Sequence, residues 1–363
     1  MSAKIDWEPS KENFDALLPF IEDPLVTDID LNADMSTGHT NVWIRHLERG
    51  MESLPSDFVT IRFVEQFANL IANRVNKSFN PQHVCLEADT RALRISILHE
   101  SVTATGRCIC IRKSPPILRH SEETLIQSGF IKKEALQLLI RCVEQKMNMV
   151  ICGVPGAGKT EFLKFLTQYI KERVTTIEDN PEIHFSQINP NANCVAIRVV
   201  PGILDYSLAI QKALRYDTEW ILLSEARGRE AKELLEAWST GTHGITTIHA
   251  NDVRKVPDRI LSMLDEESKA LERKIYSFLN VAVQIRKKRK PDGTDFRYVD
   301  QIAFFARENG ENRIVCVMDE GEFTKEQIPK EIARQLRLSV MKEELDEKGR
   351  HEAFASGKAQ KTN

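Results

Sequence analysis

Between positions 14 and 112 the apolar residues recur with two different periods. In residues 63–75, Phe63, Phe67, Leu70 and Ile71 fall on one face of a 3.6-residue repeat, which predicts a helix. Phe14, Leu17 and Leu18 have helical spacing too, and Pro19 is expected to close that turn. Residues 26–31, 93–98 and 107–112 read as strands, and 42–44 is a short apolar run. A small α+β domain is therefore expected over 1–112. Residues 113–121 hold Pro115 and Pro116 between polar residues, which breaks both periods and predicts a linker.

From position 122 the pattern changes. Helical spacing over 125–131 and 135–143 leads into an apolar run at 149–152, a helix at 159–171 and strand-like runs at 174–177 and 195–199. A helix over 204–216, a strand at 220–223, a helix at 230–238 and a strand at 245–248 follow. Strands and helices in alternation predict a doubly wound or related parallel sheet. Short strands are expected around 281–286, 298–305 and 313–317, then a helix face marked by Ile328, Ile332 and Leu336. This second domain is expected over 122–345. The tail 346–363 is polar and aperiodic, so disorder is expected there.

Residues 153–160, Gly-Val-Pro-Gly-Ala-Gly-Lys-Thr, fit GxxxxGK[ST] at every fixed position, between an apolar strand and a helix. Glycines permit positive φ and let backbone N–H groups wrap phosphates, and the following helix points its positive end at them. Gly153, Pro155, Gly156, Ala157, Gly158, Lys159, Thr160 and the adjoining Glu161 are the expected contacts to ATP. Lys159 is expected on the β- and γ-phosphates and the Thr160 hydroxyl on Mg²⁺.

Two further strands end in acids, at Glu225 and at Glu178-Asp179. A carboxylate in such a place can hold Mg²⁺ or polarise the attacking water, or be a solvated turn residue. Residues 241–251 place His243 and His249 close to a strand, with no third ligand at zinc spacing. Arg227 follows Glu225 by two, and Arg91, Arg94, Arg107 and Arg112 cluster late in the first domain, where a fork-like grip on phosphate competes with a solvated basic face.

Composition narrows the partners. The formal net charge is −3, which argues against a dedicated nucleic-acid binder. Seven cysteines with no zinc-site spacing read as small buried residues in a reducing compartment. The first residues show no apolar signal-like stretch, and no apolar run approaches the roughly 18 residues of a spanning helix, so a cytoplasmic protein is expected.

Taken in order, the phosphate loop, the Thr176-Ile177-Glu178-Asp179 run, Glu225-Ala226-Arg227-Gly228 and Thr246-Thr247-Ile248-His249-Ala250-Asn251 resemble the traffic ATPases of type II and type IV secretion, type IV pili and conjugation. Asp23–Asn32, Val42-Trp43-Ile44 and Ile109-Cys110-Ile111-Arg112-Lys113 look like the first domain of the tight-adherence and conjugative branch. The resemblance implies an α/β protein, with an N-terminal α+β domain before a RecA-like P-loop ATPase domain whose central sheet is parallel-rich. It implies ATP and Mg²⁺ as cofactors, Glu225 and Glu178 as metal and catalytic acids with Thr160, His249 near the γ-phosphate, and Arg94 and Arg112 reaching nucleotide from the first domain. It implies a homo-hexamer attached to inner-membrane components of its machine, without membrane insertion. The family's Gly-Glu-Ile/Val-Arg is here Ser224-Glu225-Ala226-Arg227, and His243 is displaced by one position. A nucleic-acid motor and a nucleotide-gated scaffold that does not hydrolyse are the rival readings.

Overall fold

The computed structural model describes residues 3–4, 7–264, 268–291 and 294–338. The disorder expected over 346–363 lies outside them. The chain forms two compact units. The first comprises the described residues up to Arg119 with Thr176–Ala209 and Lys287–Arg297, and the second comprises His120–Thr175, Ile210–Arg286 and the described residues from Tyr298 on.

The first unit is built on a sheet of strands β1 (Ala3–Lys4), β2 (Val26–Ala33), β3 (Thr40–His46), β4 (Gly50–Ser53), β5 (Cys85–Asp89), β6 (Leu93–Leu98) and β7 (Arg107–Lys113), in the order β1-β5-β6-β7-β2-β3-β4. Buried and open positions alternate along β3, β6 and β7, so each strand turns one face to the core. The helix Ile61–Arg74 buries Phe63, Val64, Phe67, Ala68, Ile71 and Ala72 in that core. Thr60 caps it, Oγ1 accepting from Phe63 N–H at 3.1 Å. Strands β4 and β5 escape the sequence reading because they are short and interrupted by polar residues, Glu52 and Ser53 in one and Glu87 and Asp89 in the other. Lys113, placed by the sequence at the start of a linker, is the last residue of β7 and donates from Nζ to Phe20 O at 2.9 Å.

The second sheet takes in β8 (Met149–Cys152), β9 (Val174–Glu178), β10 (Cys194–Arg198), β11 (Trp220–Leu223), β12 (His243–Ile248), β13 (Val281–Arg289), β14 (Asp295–Glu308), β15 (Glu311–Asp319) and β16 (Glu322–Phe323). Over the second unit's residues the order is β9-β11-β12-β8-β13-β14-β15-β16, β9 contributing only Val174 and Thr175. In the first unit, Val199 N–H donates to the carbonyl of Glu178, the last residue of β9, at 2.8 Å. Pairings β11–β12, β12–β8 and β13–β8 are parallel, whereas β14–β15 and β15–β16 are antiparallel. Every residue of β8 and β11 is buried, the continuous apolar pattern of a strand covered on both faces.

Several elements differ in length from the sequence reading. The helix after the phosphate loop is Lys159–Thr167, ending in the tight turns Gln168 N–H to Phe165 O and Ile170 N–H to Thr167 O. The helix expected over 204–216 is Tyr206–Ala213; Asp205 Oδ1 accepts from Leu208 N–H at its start, and Asp217 is left-handed (φ 54°) past its end. The cysteines also depart from expectation. Cys142, Cys152 and Cys316 are buried, but Cys85 and Cys110 are exposed. No described helix is long and apolar enough to cross a membrane.

Candidate functional site

Three parallel strands of the second unit end together. Ile248 of β12 pairs with Cys152 of β8, and Leu223 of β11 pairs with Thr246. The chain beyond these strand ends carries the glycine-rich loop, Glu225 and His249, so the three segments leave one edge of the sheet. This is where open α/β sheets bind ligands.

Gly153, Gly156 and Gly158 all adopt positive φ, at 150°, 72° and 96°. A Cβ on Gly153 would lie 2.4 Å from Ile285 O, so only glycine fits there. At Gly156 nothing lies within 4 Å of such a Cβ, so backbone conformation alone selects the residue. Ala157 is fully buried and donates its N–H to Val154 O at 3.2 Å. Pro155 is exposed on the loop. Gly158 precedes the first turn of Lys159–Thr167, where Thr160 is half-buried. Glu161 Oε1 accepts from the buried Lys164 at 2.9 Å. Below the loop, burial pushes the Cys152 thiol up to about 12, leaving it an inert apolar neighbour.

Lys159 is buried and its ammonium turns inward, 3.0 Å from Gly153 O and 3.2 Å from His249 Nδ1. His249 Nε2 lies 2.7 Å from Glu225 Oε1. Glu225 Oε2 in turn accepts from Arg227 Nε at 2.9 Å and lies 2.7 Å from its Nη2. His249 Nδ1 also lies 3.2 Å from Gly153 O, so the ring meets Lys159 as an acceptor when its proton is on Nε2, facing Glu225, and meets the carbonyl as a donor when its proton is on Nδ1. The result is a chain of contacts, Lys159 to His249 to Glu225, closed by Arg227. Glu230 Oε1 holds the turn of Arg227 by accepting its N–H at 2.5 Å and that of Gly228 at 2.8 Å.

The structure therefore brings Lys159, His249, Glu225 and Arg227 together. Glu178, Arg94 and Arg112 belong to the first unit. Glu178 is buried at the end of β9, and its Oε1 accepts from the N–H groups of Glu182 and Ile183 at 3.0 Å each. Arg94 and Arg112 are directly paired across β6 and β7. Burial opposes the charge on Arg112, but Asp28, 3.1 Å from its Nε, outweighs it and leaves the pKa raised.

His243 sits apart from the chain of contacts. It starts β12 and pairs with Trp220 at the start of β11, five residues before Ile248. At about 3.3 Å per residue this places it on the order of 16 Å from the strand's other end. Its ring centroid lies 5.7 Å from that of Trp220. Burial and the neighbouring Lys146 lower its pKa.

Two residues escape the sequence reading. Asn148, just before β8, accepts Gly244 N–H at 3.0 Å and donates to Phe278 O at 2.7 Å. Gln284 is the one polar residue among the first five of β13, and its Nε2 donates to Asn251 O at 2.5 Å. A lone amide inside the apolar run Val-Ala-Val-Gln-Ile is the signal that could have found it.

Residues 62–335 match the family described as type II/IV secretion system protein. The chain belongs to this family. Its relatives include an uncharacterized protein of Bacillus anthracis, 26% identical over 270 residues. That alignment covers 73% of this chain but 59% of the relative, so the chain spans less than two thirds of that protein's length. The type IV secretion system protein VirB11 of Brucella suis is 23% identical over 314 residues, 75% of this chain and 84% of VirB11. Among solved structures, the Legionella pneumophila ATPase DotB covers 84% of each chain with a TM-score of 0.58 at 16% identity, a likeness of fold.

Proposed function

We propose that this family member is an ATPase motor that hydrolyses ATP to ADP and phosphate to drive a secretion, conjugation or pilus machine. The observation that carries the reading is the contact chain from Lys159 through His249 to Glu225, set against a loop of three positive-φ glycines at the ends of parallel strands. The loop would wrap the phosphates with backbone N–H groups, and Lys159 would turn from its carbonyls to the β- and γ-phosphates. The oxygen donors Thr160 and Glu225 suit Mg²⁺, which supplies charge neutralisation on the phosphates when bound. Glu225 would orient the attacking water, with Arg227 fixing its carboxylate and His249 responding to the γ-phosphate. The parts of Glu178, Arg94 and Arg112 rest on the resemblance alone.

A hexameric, cytoplasmic motor held at the membrane by partner proteins is the assembly the family resemblance implies, and VirB11, one relative, is by name a type IV secretion system protein. Steady-state ATPase activity with sedimentation in the same buffer tests this, comparing wild type with Lys159→Ala. Turnover by a ring of about six subunits, lost in the variant, is the expected result. A monomer that binds ATP without turnover would remove the motor reading.

A further inference from the structure

The dipeptide Gln284-Ile285 touches both halves of the candidate site. Strand β13 runs parallel to β8 with Gln284 opposite Cys152, the residue before the phosphate loop. The carbonyl of Ile285 faces Gly153 so closely that no Cβ fits between them. The side chain of Gln284, 4% exposed, donates from Nε2 to Asn251 O, two residues after His249. Beyond that point the chain is pinned again, because Gln301 Oε1 accepts Val253 N–H at 3.0 Å and its Nε2 reaches Asp252 Oδ2 at 3.3 Å.

Gln284 Oε1, by contrast, is buried with no hydrogen-bond partner among the described residues. Turning the amide over would set Oε1 against the Asn251 carbonyl, acceptor on acceptor, so the observed orientation is fixed. A partnerless buried amide oxygen weakens folding, and an apolar side chain of the same size would not carry that penalty. The amide at this position is therefore poorly explained by stability. It is well explained by what its N–H holds.

We infer that Gln284 is a positioning residue. It sets the distance between the phosphate loop and the segment bearing His249, and so decides whether His249 Nδ1 reaches Lys159. The inference rests on the ATPase reading above and deepens it.

Gln284→Met keeps the length of the side chain and removes the donor. Placed in wild type and in His249→Ala, it completes a double-mutant cycle in kcat, KM and Tm. In the wild-type background we expect kcat to fall about tenfold with KM within about twofold and Tm unchanged or higher. In the His249→Ala background the same change should alter kcat by less than about twofold, since Gln284 acts through a ring no longer present. Equal fold-losses in both backgrounds, or a lower Tm with kcat retained, would reduce Gln284 to a packing contact and overturn the inference. Gln284→Leu repeats the loss of the donor in another shape, should Gln284→Met fail to fold. A wild-type chain without turnover would overturn the ATPase reading, a result separable from independent effects in an active enzyme.

Discussion

The ammonium of Lys159 lies 3.2 Å from His249 Nδ1, although the two residues are 90 positions apart in the chain. The same histidine holds Glu225, its Nε2 2.7 Å from Oε1. On the proposed reading, a phosphate that draws Lys159 away would leave His249 Nδ1 facing Gly153 O, 3.2 Å away. Binding and the setting of Glu225 would then be coupled through one imidazole.

This coupling separates binding from turnover. His249→Ala should lower kcat by about 100-fold while KM stays within about threefold, because the phosphate loop is untouched. Parallel measurements of ATP affinity and turnover check it. Weakened ATP binding with kcat retained would make His249 a simple binding group.

The glycines of the loop should differ in their tolerance. Gly153→Ala brings Cβ to 2.4 Å from Ile285 O at a φ of 150° and should cost on the order of 2–4 kcal/mol. Gly156→Ala meets no atom within 4 Å and should cost about 1 kcal/mol from its positive φ alone. Denaturant melts of the two variants decide the matter. Equal losses would mean that the Ile285 contact relaxes freely.

Stability should fall in mild acid through His243. Its pKa in the folded chain is lowered by burial and by Lys146, with Glu172 and Glu219 opposing. Above about pH 6.5 the ring is neutral in both states and contributes no slope. Below it the unfolded chain takes up a proton that the folded chain resists, so stability declines by at most about 1.4 kcal/mol per pH unit until the folded value is passed. Melting wild type and His243→Gln between pH 7.5 and 5.5 should show a shallower decline in the variant. Parallel curves would place the acid sensitivity elsewhere.

The reach of sequence reasoning follows the distance over which each signal acts. The phosphate loop is contiguous, so Lys159 and Thr160 are legible from eight residues and their flanking strand and helix. Strands β8 and β11 are legible because both faces are covered and the apolar runs are unbroken. That His249 and Glu225 meet Lys159 depends on parallel register among β8, β11 and β12, which no local pattern encodes. Local pattern flagged those two residues and resemblance supplied their roles, whereas Gln284, reached through register and an isolated amide, needed the structure. The clustering of Thr176–Ala209 and Lys287–Arg297 with the first unit is likewise a matter of long-range contact.

Gly244 is the narrow point of β12. A Cβ there would fall 2.5 Å from Trp238 Nε1 and 2.8 Å from Ile221 O, so the indole rests directly on the strand that ends just before His249. The protein thus carries its own optical gauge. On the proposed reading, a slide of β12 on phosphate binding would shift the surroundings of Trp238, and its emission, isolated by replacing the other three of the chain's 4 tryptophans, would report it without an attached dye.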